Sequence, residues 1–299
     1  MINEGYMPFK DYKTYYRIVN PEGRKTPLIL IHGGPGSTHN YFEVFDDFAY
    51  KNDRPIVMYD QIGCGNSFVD GDEDLFNADV WMEELVALRK DLKLDEVHIL
   101  GQSWGGMLLI LYALTKPEGV KSIILSSTLS SAKLWRSEQI RRISYMDDEY
   151  KIPLLEAEKT GDYDSKEYQK ALDVFMERYS AGPYDENDPE CLTREKKAGS
   201  KSYVVGWGEN EFSPTGTLAG FEVTDRLNEI EIPTLITSGA EDLSSPIIAK
   251  TMHDNIKNSK WELFANSRHM PFVDQHEKYV VVLELSLIHI SEPTRLLSI

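Results

Sequence analysis

Short apolar runs recur along the chain at residues 27–31, 56–59, 97–100, 122–125, 234–237 and 261–264, each followed by glycine or by a helical stretch. Runs this short and this apolar predict parallel strands buried on both faces. Residues 4–19 read differently. Two aromatic-rich stretches flank Lys10 and Asp11, which predicts an antiparallel β-hairpin at a sheet edge. Elsewhere the period lengthens. Trp81, Leu85, Leu88 and Leu92 follow i, i+4, i+7, i+11 and mark one face of a helix. Another helix is predicted over 105–116, stopped by Pro117. Strands alternating with helices give an α/β fold, a mostly parallel central sheet covered by helices on both faces.

The alternation stops between residues 129 and 221. This stretch is rich in Glu, Asp, Lys, Tyr and Arg and has no convincing buried strand. It reads as amphipathic helices joined by polar loops, one of them at 184–190. Inserted here, it would sit above the C-terminal ends of the strands, where open α/β sheets bind ligands. The expected organisation is therefore a core of residues 1–128 and 222–285 with a helical cap at 129–221. A closing helix is expected over 277–285. From Ser286 the charge density falls and Pro293 breaks the helical pattern, so 286–299 is read as a non-native tail and set aside.

With 299 residues, 41% hydrophobic and 27% charged, the chain can bury a sizeable core. Its 49 acidic residues outnumber 32 basic ones, for a net charge of −17. Such a chain repels nucleic-acid phosphates and anionic membrane surfaces. No apolar run approaches the ~20 residues of a membrane span, and the N-terminus lacks the pattern of a secretory signal. Two cysteines, Cys64 and Cys191, exclude a small disulfide scaffold and suit a reducing compartment. A soluble cytoplasmic protein is expected; nothing in the sequence indicates its oligomeric state.

Chemistry enters at Gly101-Gln102-Ser103-Trp104-Gly105-Gly106, which follows a predicted strand and opens a predicted helix. G-x-S-x-G in that context is the nucleophile elbow of an α/β-hydrolase fold: glycines flank the serine because the turn is too sharp for side chains. Ser103 is the expected nucleophile. His32-Gly33-Gly34-Pro35-Gly36 follows the strand at 27–31, and acyl transfer needs backbone N–H donors aimed at an oxyanion. Gly34 and Trp104 are the expected pair. A serine also needs a base, and the base needs an orienting acid, in the chain order Ser, acid, His. Of the seven histidines, His269 lies in the loop after the strand at 261–264, whereas the rival His276 falls in or near the closing helix. After the strand at 234–237, Glu241 and Asp242 offer adjacent carboxylates, and Asp242 is preferred. No H-E-x-x-H and no clustered Cys/His spacing occurs, so neither a metal nor another cofactor is expected.

These motifs resemble those of the proline iminopeptidases (prolyl aminopeptidases). The resemblance is carried by His32–Gly36, by Tyr59-Asp60-Gln61-Ile62-Gly63-Cys64-Gly65-Asn66-Ser67, by the Ser103 elbow, by Gly208-Glu209-Asn210-Glu211-Phe212 and by Gly239-Ala240-Glu241-Asp242. It implies a serine aminopeptidase that releases an N-terminal residue, preferentially proline, from short peptides with a free N-terminus. It also implies a triad of Ser103, Asp242 and His269. By the same resemblance Glu211 holds the substrate ammonium, while Leu243 stands where some members carry a second carboxylate. Phe212 and Trp207, with Tyr203 and Trp135, are candidate apolar walls for a proline ring. Fold and triad alone also fit an esterase, amidase or lactonase, or a non-catalytic binding protein.

Overall fold

The chain first reverses at Lys10-Asp11, where Lys10 adopts φ 50°. Strands β1 (Ile2–Phe9) and β2 (Tyr12–Val19) pair antiparallel from Phe9 opposite Tyr12 to Ile2 opposite Val19. In the computed structural model, which describes residues 1–291, this hairpin is the edge of an eight-stranded sheet. The remaining strands are β3 (Leu28–Ile31), β4 (Ile56–Tyr59), β5 (Val97–Gln102), β6 (Val120–Ser126), β7 (Thr234–Gly239) and β8 (Ser259–Phe264). Their spatial order is β1-β2-β4-β3-β5-β6-β7-β8. The pairing is antiparallel up to β4 and parallel beyond it.

Every residue of β3, β4, β5 and β7 is buried, as continuous apolar runs require when helices cover both faces. Alternate side chains feed two cores. On one face Ile29 and Ile31 pack with Trp81, Leu85 and Met107. On the other, Leu28 and Leu30 pack with Phe42, Phe45, Phe272 and Tyr279. At residues 261–264 the expectation of a strand buried on both faces fails. β8 is the outermost strand, and within it only Phe264 is buried, because among the described residues no strand pairs with its far side.

The covering helices are α1 (Asp46–Lys51), α2 (Ala78–Asp91) and α3 (Trp104–Leu114). Asn77 caps α2 by accepting the Asp79 and Val80 amides at 3.1 Å. Five helices lie between β6 and β7: α4 (Ala132–Ile143), α5 (Asp148–Thr160), α6 (Lys166–Tyr179), α7 (Glu190–Thr193) and α8 (Ser200–Gly206). The two ends of this insertion are stitched together. The Ala132 amide donates to the Phe221 carbonyl at 2.8 Å, and the Val223 amide to the Ser130 carbonyl at 2.9 Å. α9 (Pro246–Asn255), α10 (Pro271–Asp274) and α11 (His276–Ser291) complete the fold. α11 runs on past Ser286 and buries Leu287; Pro293 lies outside the described residues. Among the described residues no helix is long and apolar enough to cross a membrane.

Candidate active site

Ser103 joins β5 to α3 with φ 55° and ψ −123°. A non-glycine residue held there costs on the order of 1–3 kcal/mol, and such strain concentrates at functional sites. Its neighbours explain why the turn closes. A Cβ on Gly105 would meet the Ile31 carbonyl at 2.1 Å, and one on Gly101 the Gly105 carbonyl at 2.3 Å. Helix α3 can therefore lie against β3 only with glycine at 105. The elbow is pinned by its own amide, which donates to the Ser126 carbonyl at 3.0 Å.

His269 lies in the loop after β8, and its Nδ1 is 2.7 Å from Asp242 Oδ1. Asp242 follows β7 and is fully buried. Its carboxylate also accepts the Gly239 amide at 3.0 Å and the Ser244 amide at 2.8 Å. Those donors fix its orientation, so Nδ1 is held and Nε2 is left to face elsewhere. Glu241, by contrast, has a 56%-exposed side chain that reaches Arg178 at 4.0 Å. His276 opens α11, bonds the Phe272 carbonyl at 3.0 Å and packs on Phe45, away from this site.

Gly34 takes φ 112° in the loop after β3, a value that favours glycine. Trp104 is the first residue of α3, so its amide is one of the first-turn donors with no partner inside the helix. Both positions are braced from behind. Gln61 donates its backbone N–H to His32 Nε2 at 3.0 Å and accepts the Trp104 indole N–H on its side-chain Oε1 at 2.8 Å. Burial pushes His32 down to about 4, so it stays neutral and can accept. Tyr41 accepts the Gly33 amide at 2.6 Å and donates to Gln102 Oε1 at 2.9 Å, while Gln102 Nε2 reaches the His269 carbonyl at 3.3 Å. One tyrosine and one glutamine thus tie the loops after β3, β5 and β8 together. Beneath them, Glu84 of α2 is fully buried and accepts the Ile62 amide at 3.0 Å and the Thr14 hydroxyl. Desolvation raises it to about 8.

Ser103, His269, Gly33 and Gly34 line one cavity of about 520 Å³, together with Tyr203 and Glu211. The Glu211 carboxylate accepts the Tyr203 hydroxyl at 2.5 Å, and burial raises its pKa. Phe212 and Trp207 do not line this cavity. Phe212 packs edge-on against Phe175 at 4.9 Å, and Trp207 against Trp135 at 5.7 Å. Their apolar rings close the core of the insertion behind Glu211, whose carbonyl accepts the Trp135 and Trp207 indole N–H groups at 2.9 and 3.3 Å. Trp135 also lies edge-on to the His269 ring at 6.4 Å.

Sequence reasoning missed a set of contacts from the insertion to the loops of the core. Helix α4 supplies three. Glu138 accepts the Ser245 hydroxyl at 2.6 Å, Gln139 donates to the Leu243 carbonyl at 2.9 Å, and the buried Arg142 donates to the Asp242 carbonyl. The Arg142 guanidinium also lies 4.4 Å from the Tyr179 ring centroid. The end of α6 adds two more. The Tyr179 carbonyl accepts the Leu243 amide at 2.9 Å, and the Ser180 carbonyl accepts the His269 amide at 3.2 Å. In sequence these residues look like solvated helix polarity.

The alpha/beta hydrolase fold family matches residues 26–275. Proline iminopeptidase of Clostridioides difficile is 67% identical over 94% of this chain and 97% of that protein. Proline iminopeptidase of Clostridium botulinum is 58% identical over the same shares. The crystal structure of proline iminopeptidase from Mycobacterium smegmatis superposes with a TM-score of 0.86 at 27% identity, covering 96% of this chain and 98% of that one. Sequence and backbone agree, and the chain belongs to the proline iminopeptidase family of the alpha/beta hydrolase fold.

Proposed function

We propose that this protein releases an N-terminal residue, preferentially proline, from short peptides through an acyl-enzyme. The observation that carries the reading is one cavity lined by a serine elbow, an aspartate-held histidine and the Glu211 carboxylate. Ser103 Oγ attacks the carbonyl of residue one, and His269 Nε2 takes its proton. Asp242 steadies the imidazole and the imidazolium it becomes. The amides of Gly34 and Trp104 stabilise the oxyanion. The C–N bond then breaks, and His269 returns the proton to the leaving amine. Water loses a proton to His269, attacks the ester carbonyl, and releases the amino acid as Ser103 regains its hydrogen.

Glu211 pairs with the free ammonium of residue one, because a cation taken out of water needs an anionic partner. Tyr203 holds that carboxylate through its hydroxyl, Trp207 holds the Glu211 backbone carbonyl, and Phe212 packs the segment onto Phe175. Residues 129–221 act as the cap that admits only chain ends, over a core of residues 1–128 and 222–285. The buried free thiols of Cys64 and Cys191 support a reading of the protein as cytoplasmic, where they would stay reduced.

A panel of aminoacyl arylamides tests the reading. Free Pro-arylamide is expected to turn over fastest, ahead of Ala and Leu, and N-blocked Pro-arylamide is expected to resist. Ser103→Ala is expected to lose nearly all turnover and all labelling by a fluorophosphonate. Rapid cleavage of the blocked substrate would favour a general amidase or esterase, and unlabelled wild-type Ser103 a binding protein.

A further inference from the structure

The substrate cavity carries one charge that the reaction above leaves unused. Among its described lining residues, Glu211 is the one carboxylate and Lys196 the one ammonium. Lys196 is half-buried and has no carboxylate within ion-pair distance among the described residues. Glu43, the carboxylate whose charge reaches Lys196, has both oxygens bonded by Arg194, at 2.8 and 3.2 Å. Lys196 instead lies over the Tyr41 ring, 5.8 Å from its centroid. Burial lowers its pKa, the direction expected of a cation short of a counter-charge. Partly desolvated cations are normally paired, so the missing partner points to a bound anion.

The backbone around Lys196 is fixed. The Gly65 amide donates to the Lys197 carbonyl at 2.8 Å, and the Gly199 amide to the Gly36 carbonyl at 2.7 Å. These bonds strap residues 197–199 onto the two glycine loops, while Arg194 is clamped by Glu43 and Glu190. Tyr41 lies between the ammonium and the glycine loop after β3. Its ring faces Lys196, and its hydroxyl lies 2.6 Å from the Gly33 amide. An extended peptide advances about 3.3–3.6 Å per residue. The 5.8 Å from the ammonium to the Tyr41 ring is the reach of about two residues, and a peptide that short ends in a carboxylate.

We propose that Lys196 binds the C-terminal carboxylate of the substrate, so that free di- and tripeptides are favoured over amidated or longer chains. The proposal rests on the aminopeptidase reading above. It makes the cavity complementary to a zwitterion, with Glu211 for the ammonium and Lys196 for the carboxylate. In a chain of net charge −17, a local cation is also what would keep an anionic peptide end from being repelled.

The test compares kcat/KM for Pro-Gly, Pro-Gly-amide and Pro-Gly-Gly by released proline. Wild type, Lys196→Gln, Lys196→Glu and Lys196→Arg are measured at low and high salt. Wild type is expected to prefer the free dipeptide over its amide about tenfold, a factor worth about 1.4 kcal/mol. That preference should shrink with salt, fall to near unity in Lys196→Gln, invert in Lys196→Glu and persist in Lys196→Arg. The ratio within each variant cancels any general loss of folded enzyme, and the wild-type ratio needs no variant at all. A wild-type ratio near one, or a tenfold ratio kept by Lys196→Gln, overturns the proposal. Failure of wild type to cleave Pro-arylamide sinks the parent reading instead, since that substrate has no carboxylate.

Discussion

Glu84 offers a sharp test of how burial acts in this fold. It lies beneath the loop of Asp60–Ser67, with its carboxyl raised from an ordinary 4.5 to about 8, mainly by desolvation. Between those two values the folded protein keeps a proton that the unfolded chain releases. The unfolded state then binds fewer protons, so this group makes stability fall as pH rises. The limiting slope is about 1.4 kcal/mol per pH unit. Integrated between pH 5 and pH 8, with the bend near 8 included, the loss is about 3–4 kcal/mol. Glu84→Gln keeps the shape and the acceptor for the Ile62 amide but cannot ionise. Its stability relative to wild type should therefore climb by about that amount across the same range. Equilibrium urea unfolding at half-unit pH steps measures it. Taking the difference between the two proteins is essential. His32 and His98 are both pushed down to about 4 by burial, and each makes stability rise with pH between about 4 and 6.5. Those contributions cancel in the difference. A flat difference from pH 5 to pH 8 would refute the argument and put Glu84 in contact with water or with a cation.

Three further outcomes are expected. Arg142→Met removes the donor to the Asp242 carbonyl, at a cost of about 1–3 kcal/mol; kcat on Pro-arylamide should fall tenfold or more with KM little changed, and an unchanged kcat would show that Asp242 needs no such hold. Glu211→Gln removes the carboxylate proposed to pair with the substrate amine, an interaction worth about 1.5–3 kcal/mol; KM for free-amine substrates should rise at least tenfold, and an unchanged KM would remove Glu211 from the site. Gly105→Ala drives a methyl into the Ile31 carbonyl and should lower stability by about 1–3 kcal/mol, read as a lower urea midpoint with an unchanged slope.

The central sheet was legible because burial on both faces leaves its mark on every residue of a strand: 56–59 admit no polar side chain. β8 was legible as a strand but not as an edge, since edge position depends on what lies beside it in space. Ser103 could be found because its turn demands glycine at 101 and 105, a constraint written locally. Asp242 and Glu241 are adjacent and chemically alike, and only tertiary placement separates a buried carboxylate from an exposed one. Glu84 left a faint trace: it sits three residues after Trp81 and one before Leu85, on the stripe read as apolar. Arg142 and Gln139 left none, because a polar helix looks the same whether its polar side meets water or another loop. Phe212 and Trp207 drew attention as aromatic walls, yet such rings are drawn into the packing of their own segment, leaving a smaller carboxylate to face the cavity.

The hold of α4 and α6 on the loops that carry Asp242 and His269 has an evolutionary implication. On paper the inserted helices form a cassette that could be exchanged between relatives to change which peptide ends are accepted. In space, five hydrogen bonds make that cassette part of the frame that holds Asp242 and His269. A transplanted insertion would bring a foreign α4 against residues 242–245 and a foreign α6 against Leu243 and His269. Selectivity and rate are thereby inherited together. Chimaeras should work only when residues 242–245 and the loop of His269 travel with the insertion that grips them.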